Sequence, residues 1–206
     1  MAMLIPRPPP GAAGCTEYEI RARERRSYTN VLDASLLLDR LGRRCVARID
    51  VTAGDVVLAL DHPLARGRIR EEVRLAVAAD GLRAQHPDGA YPLVALPFLA
   101  GWLAIHASAV SLLAWIHDRF VARMYLEATR TKKALEVVMY PDLNDWVQLA
   151  PAARPLYRMA YELAPPHRLL RFEGPYGPPG APEIVLEFAR HFAMADEESP
   201  AASARV

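Results

Sequence analysis

The side chains best suited to chemistry in this chain are its six histidines: His62, His86, His106, His117, His167 and His191. An imidazole titrates near neutral pH and serves as a general base, a hydrogen-bond partner or a metal ligand. Two of the six adjoin an aspartate, in Asp61-His62 and His117-Asp118. A carboxylate beside an imidazole supports proton transfer or metal binding, which makes His117 and Asp118 the catalytic candidates. His106 stands in a different context. It interrupts the apolar run Tyr91 to Ile116 (YPLVALPFLAGWLAIHASAVSLLAWI), together with Ser108 and Ser111. Read as one helix, the run puts His106 and His117 on one face, because eleven residues at about 100° each return almost to the starting angle. At about 1.5 Å per residue the two imidazoles stand about 16 Å apart, too far to share a metal. They can instead address two ends of a ligand in an apolar cavity, with His106, Ser108 and Ser111 as the ligand-binding set. The plainer reading is a core His106 satisfied by one hydrogen bond, with His117 at the edge of the core.

The stretch Ser111 to Phe120 (SLLAWIHDRF) resembles the His-Asp step of HD-domain metal phosphohydrolases. In that family an apolar helix ends in adjacent metal ligands, and an earlier histidine and a later aspartate complete the site. The resemblance implies a metal-dependent hydrolase with His117 and Asp118 as the pair, His86 upstream, and Asp142 or Asp145 downstream. It covers ten residues, a short match of the kind that recurs by chance. It also departs from the pattern, since His86 lies in His-Pro-Asp-Gly, a turn sequence, and the first half of the chain is strand-like.

Other chemistry has no support. No GxSxG points to a serine hydrolase and no GxxxxGK[ST] to a phosphate-binding loop. Gly174 to Gly180 is interrupted by prolines, which lack the N–H groups that cradle phosphate, so a rigid loop is expected. Arg21, Arg23, Arg25 and Arg26 read as a solvated strand face or edge protection. The aromatics Tyr140, Trp146, Tyr157, Tyr161 and Tyr176 read as core. No cofactor follows from any motif.

With 52% hydrophobic and 24% charged residues, the 206-residue chain suits one ordinary globular domain. Twenty-five basic against 24 acidic residues give a net charge of +1, so no global field attracts nucleic acid. Cys15 and Cys45 lack the number and spacing of a disulfide framework or zinc site. The N-terminus has no charged region followed by an apolar one, so a secretory signal is not expected and the cytoplasm is the default. Composition divides the chain into a Pro-rich tail (1–15), one domain (16–195) and a second tail (196–206).

Glu17 to Glu24 alternates, with Tyr18, Ile20 and Ala22 on one strand face. Arg44 to Val51 and Asp55 to Leu60 flank Thr52-Ala53-Gly54, and Ile69 to Ala78 and Leu82 to His86 flank Ala79-Asp80-Gly81; both predict hairpins. Helices are expected over Asp33 to Leu41, from Pro97 through the apolar run, and on through Phe120, Val121, Met124, Tyr125 and Ala128 toward Pro141. Leu135 to Tyr140 fits a strand equally well. Further helices are expected near Leu143 to Leu149, over Pro155 to Leu163 and over Pro182 to Ala195, with Leu169 to Phe172 as a strand.

The expected fold is therefore α+β: an antiparallel sheet of four to five strands packed on a long central apolar helix, with shorter C-terminal helices. The run is also long enough to span a bilayer. Two prolines, His106 and arginines on both sides of it disfavour a membrane protein with a single span. The expected function is an accessory or binding protein for an apolar small molecule or a partner protein, with homo-oligomerisation open and nucleic acid excluded. The rival class is the metal-dependent hydrolase built on His117 and Asp118.

Overall fold

Apolar and polar residues alternate along stretches such as Glu17 to Glu24 and Ala47 to Val51, and strands are the conformation that buries one side of such a pattern. The computed structural model describes residues 4–26, 45–62, 69–117, 120–142, 157–175 and 183–194. It contains strands β1 (Gly14–Arg26), β2 (Cys45–Val51), β3 (Asp55–His62), β4 (Ile69–Ala78), β5 (Gly81–Ala84) and β6 (Tyr91–Pro92). One helix, α1 (Leu96–Ala104), precedes β7 (Ala109–His117), β8 (Phe120–Arg130), β9 (Leu135–Pro141), β10 (Tyr157–Tyr161), β11 (Leu169–Pro175) and β12 (Glu183–Met194).

All twelve strands join one sheet in the order β5-β4-β3-β2-β1-β12-β11-β10-β9-β8-β7-β6. Every neighbouring pair is antiparallel except β6 with β7. The first and last strands in this order are close in sequence, and they touch: the Tyr91 hydroxyl on β6 donates to the Leu82 carbonyl on β5 at 2.6 Å. A sheet of twelve strands whose two ends meet has to curl round on itself.

The N-terminal segment closes the seam. Ile5 is fully buried. Its carbonyl accepts from the Leu82 N–H at 2.7 Å, and its own N–H donates to the Tyr91 hydroxyl at 3.0 Å. Composition alone reads this stretch as a tail; one isoleucine among the prolines anchors it.

The inside of the curl is apolar. Ile49, Val56, Leu58, Leu75, Leu112, Met124, Val137, Met139 and Met159 are buried, while Arg74, Arg123, Glu136, Arg158 and Arg171 between them are exposed. Helix α1 fills the curl against β8, β9, β10 and β11. Seven of its nine residues, Leu96, Phe98, Leu99, Ala100, Gly101, Trp102 and Leu103, are buried. Each large apolar side chain placed there contributes about 1.5–3 kcal/mol of transfer free energy.

The α+β expectation is overturned. Among the described residues the chain is mainly β, with one short helix and no long central one. The run Tyr91 to Ile116 divides into β6, the nine-residue α1 and most of β7. It reads as continuously apolar because α1 is enclosed on nearly all sides and β7 carries Leu113 and Trp115 on its outer face. Hydropathy alone cannot separate such neighbours. The helices expected around 120–140, 155–163 and 182–195 are β8, β10 and β12. Among the described residues no helix is long and apolar enough to cross a membrane.

Both hairpins and β1 fall where alternation and turn residues put them, β11 covers the strand expected at Leu169 to Phe172, and Leu135 to Tyr140, open between helix and strand in the sequence, is strand β9. Cys15 registers with Asp50 and Cys45 with Ile20 on adjacent strands. The five positions between them correspond to about 17 Å along the ladder, beyond disulfide reach. The helices expected at Asp33 to Leu41 and Leu143 to Leu149, and the tail at 196–206, lie outside the described residues.

Candidate functional site

Helix α1 ends at Ala104 without a glycine or proline to stop it. Ile105 forms the C-cap, and the His106 N–H donates to the Leu103 carbonyl at 3.1 Å. The chain then turns through Ala107 and Ser108 into β7. The Ser108 carbonyl accepts from the Ala128 N–H of β8 at 2.8 Å, which fixes the turn against the sheet.

Beside this turn is a cleft of about 320 Å³, within the roughly 300–1,000 Å³ typical of small-molecule sites. Its apolar walls come from Ala104, Ile105, Ala107, Ala128, Leu135 and Leu163, and its polar groups are His106, Ser108, Arg130 and His167. No carboxylate of a described residue lines it. Ile105, at 37% exposure, is the large hydrophobic residue most open to solvent among the described residues.

The far wall is the loop from β10 to β11. Trp102 Nε1 donates to the Pro166 carbonyl at 2.9 Å, and the Tyr161 hydroxyl donates to the Pro97 carbonyl at 2.7 Å. Gly101 lets the helix approach: a Cβ there would lie 2.7 Å from Tyr161 Cδ1 and 3.0 Å from the His167 carbonyl oxygen.

His167 is buried, at 8% exposure, and holds a left-handed backbone conformation with φ 58°, uncommon outside glycine. Its Nδ1 is 3.0 Å from the Glu162 carbonyl oxygen. A carbonyl only accepts, so Nδ1 carries the hydrogen. In the neutral ring Nε2 is left as an acceptor for a ligand. Glu162 itself is engaged by Arg168 at 3.5 Å.

The structure therefore brings His106 and Ser108 into one cleft, both exposed to solvent. It separates Ser111, which lies on the outer face of β7 in register with Tyr125. Arg130 and His167 were missed by sequence reasoning. Their only signals are an arginine ending an alternating strand and a histidine following Pro165-Pro166.

The second constellation is rearranged more deeply. His117 ends β7 in register with Phe120, so a strand stands where the HD-like pattern requires a helix, and the shared helical face with His106 does not exist. Asp118 and Asp145 lie outside the described residues. His86 sits in the turn after β5, where its Nδ1 accepts from the Asp88 N–H at 3.3 Å. Its ring lies 5.7 Å from that of Trp115, two residues before His117. Asp142 accepts from the Tyr125 hydroxyl at 3.1 Å. Among the described residues no group of three or more His, Cys, Asp or Glu could hold a metal.

A second hollow, of about 620 Å³, lies between the Pro8 to Pro10 stretch and the β2–β3 turn. Its ionisable lining is one arginine, Arg7, and one aspartate, Asp50, so it favours neither sign of charge. No protein-family model matches the chain, and no match was found among curated proteins or solved structures.

Proposed function

We propose that this chain is a non-catalytic binding protein for a small apolar molecule, held in the cleft at the C-terminal end of α1. The observation that carries this reading is the lining itself. Apolar walls from four separate parts of the chain converge with a few polar groups among them, the usual composition of a ligand pocket. Exposed Ile105 belongs to this wall, and covering it by a ligand removes apolar surface from water. His106 and Ser108 orient the ligand; Ser111, on the opposite face of the sheet, takes no part.

The test is a titration with N-phenyl-1-naphthylamine, an uncharged dye that fluoresces in apolar sites. Saturable enhancement is expected. It should be lost in Ala107→Trp, which fills the cleft, and weakened in His106→Leu, with the thermal unfolding of both variants unchanged. Saturable binding that survives Ala107→Trp would place the dye elsewhere and remove the basis of the proposal.

A further inference from the structure

Among the described residues, the one fixed charge that lines the cleft is positive. Arg130 lines it at the end of β8, and its guanidinium is ionised at any physiological pH. It forms no ion pair with another described residue. Directly after it, the β8–β9 hairpin turns through Thr131 to Ala134. The Thr131 hydroxyl donates to the Ala134 carbonyl at 2.9 Å and accepts from the Ala134 N–H at 3.1 Å. The exposed tip of this turn is Lys132-Lys133, the only lysines in the chain.

His106 and His167 complete the ionisable lining, and neither brings a negative charge. The described acidic residues next in sequence to the lining are used or averted. Glu162 is engaged by Arg168, and exposed Glu136 alternates with buried Leu135 and Val137, pointing out of the curl. In a protein of net charge +1 this is a local concentration of cations against an apolar wall.

Building on the apolar-ligand reading, we infer that the ligand is an anionic amphiphile: an apolar body on Ile105, Leu135 and Leu163, with a carboxylate or phosphate head on Arg130. Arginine suits either head because its planar fork donates two parallel hydrogen bonds to an oxyanion. Lys132 and Lys133 at the rim raise the local concentration of anions and speed entry.

Calorimetric titration with three ligands sharing one tail tests the assignment: decanoate, decyl phosphate and 1-decanol, all below their micellar or solubility limits. Both anions, or one of them, should bind at least tenfold more tightly than the alcohol, and the tighter one names the head group. Arg130→Gln should remove that preference, costing the anions at least tenfold more affinity than it costs decanol. Added salt should weaken the anions and not the alcohol.

Equal affinity for decanol and both anions would overturn the anionic head while leaving the apolar-ligand reading standing. So would an Arg130→Gln loss shared by all three. Failure of all three ligands, together with the uncharged dye, would overturn both. Lys132→Gln/Lys133→Gln should slow anion association and shift its salt dependence, with little effect on dissociation.

Discussion

At the scale of single residues, Tyr91 joins the two ends of the sheet. Its hydroxyl accepts from the Ile5 N–H and donates to the Leu82 carbonyl, so one oxygen satisfies two backbone groups from different segments. Tyr91→Phe keeps the ring and orphans both. A buried polar group left without its partner costs about 1–3 kcal/mol, and a loss of that size is expected in chemical denaturation. Faster hydrogen exchange at the Ile5 amide would localise it. An unchanged denaturation midpoint would show that the hydroxyl is dispensable.

The same tyrosine should be visible in the pH dependence. Burial raises its phenol above the ordinary value, outweighing the lowering effect of the Ile5 hydrogen bond. Above about pH 10 an unfolded tyrosine loses its proton, while the folded side chain keeps it. Unfolding then releases a proton, so stability is intact below that pH and falls as pH rises. Buried Tyr157 is raised in the same direction. Between about pH 9 and 11 the denaturation midpoint should therefore fall less steeply in Tyr91→Phe than in the wild type.

At the scale of elements, the decisive contact is helix against loop at Gly101. Alanine is the better helix former by about 1 kcal/mol, which argues for stabilisation. Its Cβ, however, would meet the Tyr161 ring and the His167 carbonyl, and overpacking of this kind costs about 1–3 kcal/mol. Tyr161 is fully buried and its hydroxyl is tied to Pro97, so it cannot swing away, and the steric cost should win. Gly101→Ala is expected to lower the melting temperature and weaken dye binding together, because the displaced loop carries His167. A melting temperature at or above wild type would mean that the helix yields instead.

This is also the scale at which the sequence was legible only in part. The hairpins around Gly54 and Gly81 could be read because turn residues separate clearly alternating runs. Strand β12 could not, and a bulge explains why. Glu19 registers with Arg190 but Ile20 with Phe188, so Ala189 is an extra residue. The inserted residue breaks the period of two. The apolar set Ile184, Val185, Phe188, Ala189 and Phe192 then acquires helical spacing. In β8 the inward series Ala122, Met124 and Leu126 does alternate, but Val121 and Tyr125 on the other face supply a competing helical stripe. His106 and Ser108 could be picked out because they interrupt an apolar run. Arg130 and His167 join them only through the curl of the sheet, which no local pattern encodes.

At the scale of the whole molecule, the fold depends on how its two edges are closed. β5 has four residues and β6 two, short as edge strands are when pairing with other chains must be avoided. What covers the seam is Ile5, hydrogen-bonded to both sides. Gly81, at φ 145°, is needed there, because a Cβ would come within 2.5 Å of the Ile5 carbonyl oxygen. Deleting residues 1–7 would uncover the Leu82 N–H, leave Tyr91 without the Ile5 donor and expose Leu82 and the Tyr91 ring, both now buried. Unpaired strand groups beside fresh apolar surface favour edge-to-edge association. The truncated protein should therefore form dimers or larger species as its concentration rises, as measured by light scattering coupled to size exclusion. Ile5→Asp should do so as well, since a carboxylate cannot be buried unpaired at this position. If both variants kept the wild-type mass at every concentration, the seam would be closed by the sheet itself. The cleft takes none of its lining from residues 1–7, so it should still bind dye in whatever fraction stays folded, which separates closure of the sheet from formation of the site.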